Sequence, residues 1–111
     1  MIQIYALKKD FAVQKAERWF KERRIPYAYV DLKKRAMSKR ELELFLQRLG
    51  REGLFNQEST AWKESPAAYN PSPDAAIECA MANPSVLALL IVRNGQQVTA
   101  GYCPEQWEKW Q

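Results

Sequence analysis

Apolar and polar positions change period several times along the chain, and each change marks an element. Residues 2–6, IQIYA, alternate in part and are rich in β-formers, which predicts a strand. The spacing then lengthens. Phe11, Ala12, Ala16, Trp19 and Phe20 recur at helical intervals through FAVQKAERWFKERR, with Asp10 standing where an N-cap belongs and Pro26 ending the unit. YAYVDL (27–32) reads as a second strand, and a strand–helix–strand crossover of this length predicts a parallel pair. Ser38-Lys39-Arg40-Glu41 has the form of a capping box, in which the serine hydroxyl and the glutamate carboxylate satisfy each other's otherwise orphaned backbone amides. Leu42, Phe45, Leu46 and Leu49 follow at i, i+3, i+4 and i+7, and Gly50 is expected to close that helix.

Between residues 53 and 73 the pattern weakens, punctuated by NQEST, ESP and NPSP, with STAWKE as a helical turn. A helix is predicted from Pro73, capped by Ser72, through PDAAIECAMA to Asn83. VLALLIV (86–92) is a continuous apolar run, expected of a strand buried on both faces. Asn94-Gly95 supplies a hairpin turn, QVTAG returns antiparallel, and PEQWEKW closes the chain as a short helix with Trp107 and Trp110 at i, i+3. This order places a mixed four-stranded sheet between helices. It predicts an α/β, thioredoxin-like architecture in one domain over 1–111: β-α-β, a helical insertion at about 38–83, a β-hairpin and a C-terminal helix, with both sheet faces covered.

Composition narrows the chemistry. The chain has 111 residues, 47% hydrophobic and 27% charged, the balance of a soluble globular protein, and no apolar stretch approaches the ~20 residues needed to cross a bilayer. The N-terminal lysines follow the apolar run instead of preceding it, unlike a secretory signal, so a cytoplasmic protein with no membrane partner is expected. Two cysteines, Cys79 and Cys103, with no histidine, cannot complete an ordinary four-ligand zinc site or form a Ser-His-Asp or Cys-His triad, and no metal or cofactor is expected. The first strand-to-helix turn, Lys8-Lys9-Asp10, offers no cysteine, serine, histidine or glycine with which to attack a substrate or cradle a phosphate. Charge is uneven: up to Arg51 there are 14 Lys/Arg against 6 Asp/Glu, and beyond it 3 against 7. The basic half reads first as solvated helix and loop faces. It lacks the interleaved aromatics of a base-stacking platform, and nucleic acid ranks lowest among partners.

At the level of motifs, the chain resembles the arsenate reductase (ArsC) and Spx-like branch of thioredoxin-fold proteins. KAERWFKERRIPYAYVDLKK is similar to that family's first helix and second strand, SKRELELFLQRLG to its next helix, LFNQESTAWKE to its LLN-T-R-x-x-x-Y-K-E segment, and LIVRNGQQVTAGYCPEQWEKW to its closing hairpin and helix. The likeness covers essentially the whole chain. It implies a reactive thiolate at the start of the first helix, acidified by the helix dipole. Aligned without gaps, that position falls on Asp10, the Spx-like resolving cysteine on Val13, the oxyanion-binding arginine on Glu58, and an Arg-Pro pair with a cis proline on Leu89-Leu90.

Every position that should carry the reaction carries something else. Asp10 can cap the helix but cannot form a thio-adduct, and with Glu58 in place of a cation it should repel arsenate or phosphate. Leu90, lacking the proline ring, should follow a trans peptide. The expected remnant is a capped helix end with apolar walls from Val13, Leu89 and Leu90. Among the surviving thiols, Cys79 reads as a small buried hydrophobe, while Cys103, before Pro104 at a helix start, is the candidate for a relocated and somewhat acidified thiol. Trp62, Trp107, Trp110, Tyr27 and Tyr29 read as core. The resemblance with these replacements implies a non-catalytic protein-binding or regulatory module, with a protein partner such as the transcription machinery on the basic face of Lys33, Lys34, Arg35, Lys39 and Arg40. The alternative is a thiol-dependent oxidoreductase, arsenate reductase-like or glutathione-dependent, that uses Cys103.

Overall fold

Residues 2–70, 72–88 and 90–110 are described in a computed structural model of the chain. The alternation in IQIYA produces β1 (Ile2–Ala6), with Ile2, Ile4 and Ala6 facing one layer of helices and Tyr5 the other. Asp10 caps α1 (Phe11–Glu22), which returns the chain to β2 (Tyr27–Asp31), parallel to β1 in the register Ile2↔Tyr27 to Ala6↔Asp31. A helical layer follows: α2 (Lys39–Leu54), α3 (Thr60–Lys63) and α4 (Pro73–Ala82). The chain then forms the hairpin β3 (Ile91–Asn94) and β4 (Gln97–Ala100), and ends in α5 (Pro104–Glu108). The sheet order is β2-β1-β3-β4, with β3 antiparallel to both neighbours. This is the thioredoxin-like arrangement expected from the order of elements.

Two cores result, one on each face of the sheet. α1 and α5 cover one face with Val13, Ala16, Trp19, Phe20 and Trp107 against Ile4, Leu90 and Val92. The helical layer covers the other with Leu42, Phe45, Leu54, Trp62 and Ile77 against Tyr5, Val30 and Ile91. Trp107 is fully buried and donates from Nε1 to Thr99 Oγ1 (2.8 Å), so its polar edge is satisfied inside the core. Phe55 stacks on Trp62, with ring centroids 4.6 Å apart.

The capping box forms as the residues require: Glu41 N–H donates to Ser38 Oγ (3.1 Å) and Ser38 N–H to Glu41 Oε1 (3.0 Å). Tertiary structure adds the Tyr5 hydroxyl, which donates to Glu41 Oε2 (2.7 Å) and ties the box to the sheet.

Four local expectations change, and one is met with an addition. Phe11 is 79% exposed, because the buried stripe of α1 runs through Val13, Ala16 and Phe20 on the other side of the helix. Gly50 closes the first helical run of α2 as expected, at φ 70°, ψ 175°, a conformation open to glycine, but the chain re-enters a helix at once and continues to Leu54. Ser72 makes no side-chain cap on α4; its N–H donates to Asn70 Oδ1 (2.9 Å) and its carbonyl accepts from Arg51 (2.8 Å). The run 86–92 is not one strand. Pro84–Val86 form a 3₁₀ turn, and the next residues bond to the end of α2, with Asn56 N–H donating to Val86 O and Ala88 N–H to Leu54 O, both 2.8 Å. Leu87 thus forms an isolated antiparallel bridge with Phe55 outside the four-stranded sheet, and Val86 and Leu87 are buried there. Finally, Asn94 pairs with Gln97, so the two turn residues are Gly95 and Gln96, and Gly95 supplies the positive φ (63°).

Candidate functional site

The site implied by the resemblance lies where β1 runs into α1. Asp10 adopts the extended conformation of an N-cap, and its Oδ1 accepts the Val13 N–H at 3.0 Å. Its own N–H donates to Lys8 O (3.0 Å), its carbonyl accepts from Gln14 N–H (3.0 Å), and Gln14 Nε2 reaches back to Lys9 O (3.1 Å). The turn is therefore closed on itself by hydrogen bonds. A carboxylate holds the place at the positive end of the helix that an incoming anion would need.

Lys9 points away from that end. Its Nζ lies 3.4 Å from both oxygens of Glu17 and 4.7 Å from the centre of the Tyr29 ring. Glu17 is buried, and the Tyr27 hydroxyl donates to it at 2.7 Å, so the carboxylate is paired on two sides. Burial first, then the Glu17 charge and hydrogen bond, push the Tyr27 phenol up to about 12.

The remaining positions are scattered. Val13 and Leu90 are both buried in the core beneath α1, packed with Ala6 and Ala16, and neither opens onto solvent. Leu89 lies outside the described residues, and so does the peptide bond that joins it to Leu90. Glu58 is exposed on the turn leading into α3, where its N–H donates to Asn56 Oδ1 (3.3 Å). Only Val13 and Leu90 share an environment, and it is an apolar one.

The surface depression at this end of the sheet has different walls. It encloses about 460 Å³ between Leu7 and Lys8 after β1, Lys33 after β2, and Ser85, Leu87 and Ala88 before β3. Its chemistry is apolar with two ammonium groups, not acidic. Sequence reasoning missed Lys8 and Lys33 in this role, although both stand just past the carboxyl ends of adjacent parallel strands, the place where open α/β sheets form crevices.

Cys103 stands at the same end of the sheet, beyond β4, at the cap position of α5 but with no capping bond. Its Sγ donates to Ala100 O at 3.2 Å, and burial pushes the thiol up, opposite to the acidification expected from its place at a helix start. α5 has five residues and carries too few aligned peptides to offset desolvation. Cys79 is half-buried on α4, and the described residues include no group of ligands that could hold a metal ion. Lys33, Lys34, Arg35, Lys39 and Arg40 are all exposed; Arg35 reaches Glu41 at 3.7 Å, and the others have no ion-pair partner among the described residues. No helix among the described residues is long and apolar enough to cross a membrane.

No family model matches the chain, and neither does any curated protein. Solved structures do. The YffB protein superposes with a TM-score of 0.84 at 21% identity, over 98% of this chain and 97% of its own. An arsenate reductase from Vibrio cholerae gives 0.83 at 21% identity, over 97% and 95%. An arsenate reductase (ArsC) related protein from Brucella melitensis gives 0.71 at 26% identity, over 98% and 92%. These likenesses run through the whole chain, helical layer included, and the chain therefore has the thioredoxin-like fold of the ArsC-related structures.

Proposed function

We propose that the chain is a divergent ArsC/Spx-like protein that has kept the fold and given up the redox cycle, and that it acts in the cytoplasm as a protein-binding or regulatory module. The observation that carries this reading is the Asp10 carboxylate bonded to the Val13 N–H, at the helix start where the resemblance puts the thiolate. A carboxylate cannot cycle through a thiol adduct. The two thiols that remain are a half-buried Cys79 among helices and a Cys103 whose burial disfavours the thiolate. The exposed basic stretch Lys33, Lys34, Arg35, Lys39 and Arg40 supports an acidic protein partner, with the transcription machinery as the candidate that Spx-like resemblance suggests.

The test is reduction of arsenate and of a small disulfide with glutathione as donor. Rates should match the no-protein background and be unchanged in Cys103→Ser. Turnover above background that disappears in Cys103→Ser would instead establish a thiol oxidoreductase with a relocated nucleophile.

A further inference from the structure

We propose that the free edge of β2 is a docking site for an extended, acidic segment of a protein partner, which adds to the sheet as a fifth strand. The proposal rests on the reading that this chain binds a protein, and it names the surface and the chemistry of what is bound. β2 is an edge strand, hydrogen-bonded among the described residues only to β1. Within a strand, successive residues present their main-chain groups to opposite sides. Leu32 N–H donates to Ala6 O (3.0 Å), so Ala28 and Val30 also face β1, while Tyr27, Tyr29 and Asp31 present theirs outward. The Asp31 carbonyl is taken up by the following turn, accepting from Lys34 and Arg35 N–H (3.0 and 2.9 Å). The outward N–H and C=O groups of Tyr27 and Tyr29 have no partner among the described residues.

Such an edge is a template for pairing, and what pairs with it is decided by the side chains that flank it. Two depressions, of about 600 and 540 Å³, run along β2 and meet at Tyr29; Lys21, Arg24 and Tyr27 line the first, and Lys34 and Arg35 the second. All four cations are exposed. Among the described residues only Arg35 of these four has a carboxylate within ion-pair distance, Glu41 at 3.7 Å; Asp31 also lines the second depression but pairs with neither Lys34 nor Arg35, its Oδ1 accepting the Lys33 N–H (3.0 Å), and Glu17 is held by Lys9 and Tyr27. From Tyr27 to Asp31 the strand advances roughly 13 Å, so an extended ligand with carboxylates four residues apart meets a cationic pair at each end. A second copy of this chain is the wrong occupant, because pairing two β2 edges brings the same four cations face to face.

The probe is a capped nine-residue peptide alternating glutamate and valine, with a lysine–valine peptide as control. Binding is read by fluorescence anisotropy, and residue-resolved amide hydrogen exchange reports where it occurs. At saturation the Tyr27 and Tyr29 amides should exchange at least tenfold more slowly, and affinity should fall as salt rises. The double variant Lys21→Glu with Lys34→Glu, both exposed positions, should weaken binding at least tenfold, and the lysine peptide should not bind. The proposal is overturned if the glutamate peptide does not bind, if it binds without protecting those two amides, if the lysine peptide binds as well, or if sedimentation shows the protein pairing with itself through this edge. Thiol-dependent turnover would remove the non-catalytic reading and leave this result standing, so the two failures are distinguishable.

Discussion

Replacing Asp10 separates what its carboxylate does for the fold from what a cysteine there would do for chemistry. The side chain makes one hydrogen bond to the helix, Oδ1 to the Val13 N–H at 3.0 Å, and places a negative charge on the first turn of a twelve-residue helix whose apolar stripe lies in the core. Losing a cap of this kind costs about 1 kcal/mol, and losing the charge costs a further 0.3–1 kcal/mol or so at low ionic strength. Asp10→Ala loses both, about 1.3–2 kcal/mol. Asp10→Asn keeps the acceptor and loses only the charge, about 0.3–1 kcal/mol. Asp10→Cys, which restores the residue type the resemblance implies, should fall near alanine, since a thiol is a poor acceptor. For a chain of 111 residues, an unfolding entropy near 2.1 cal/mol/K per residue converts 1 kcal/mol into roughly 4 °C. Thermal unfolding followed by circular dichroism in low-salt buffer should therefore show Tm losses of roughly 6–9 °C for alanine and cysteine and about 1–4 °C for asparagine. An alanine variant with unchanged Tm, or an asparagine variant that loses as much as alanine, would refute the capping argument.

Three further outcomes are expected. Arg51 donates to the carbonyls of Ala67 (3.0 Å), Asn70 (2.6 Å) and Ser72 (2.8 Å), so Arg51→Met should cost about 2–4 kcal/mol in urea unfolding, more than a surface charge would. Burial raises the Glu41 carboxyl, but hydrogen bonds from Ser38 and Tyr5 and the Arg35 charge outweigh it and hold the group below its ordinary value. A depressed folded value means stability that is present above the unfolded value of about 4.3 and lost as pH falls through the folded one. Urea titrations from pH 6 to pH 3 should show that loss shrink in Glu41→Gln. Iodoacetamide should modify Cys103 slowly at pH 7, because burial raises its thiol; reaction faster than that of a free thiol would contradict the structure.

Elements whose physics is local were legible in the chain. The Asp10 cap and the Ser38–Glu41 box need only residues three apart, and the alternation in β1 needs only its neighbours. The order of strands and helices then left few ways to cover both faces of a sheet, so the fold could be read as well. Apolar content was less informative where two environments share it. The run 86–92 is as apolar as a buried strand, yet its first half pairs with the end of α2, and that choice depends on a helix more than thirty residues earlier in the chain.

The candidate site divides in the same way. The sequence by itself determined that no thiol stands at the start of α1 and that a carboxylate does, because residue identity and helix capping are local facts. Only the tertiary structure decided that Lys8 and Lys33 line one depression, that Arg51 gathers three carbonyls from a distant loop, that burial pushes the Cys103 thiol up, and that β2 keeps an edge unpaired among the described residues and flanked by cations. Each of these depends on which segments come together in space. A side chain's neighbours across the sheet, and the water they exclude, are set by packing and are not written in its immediate sequence.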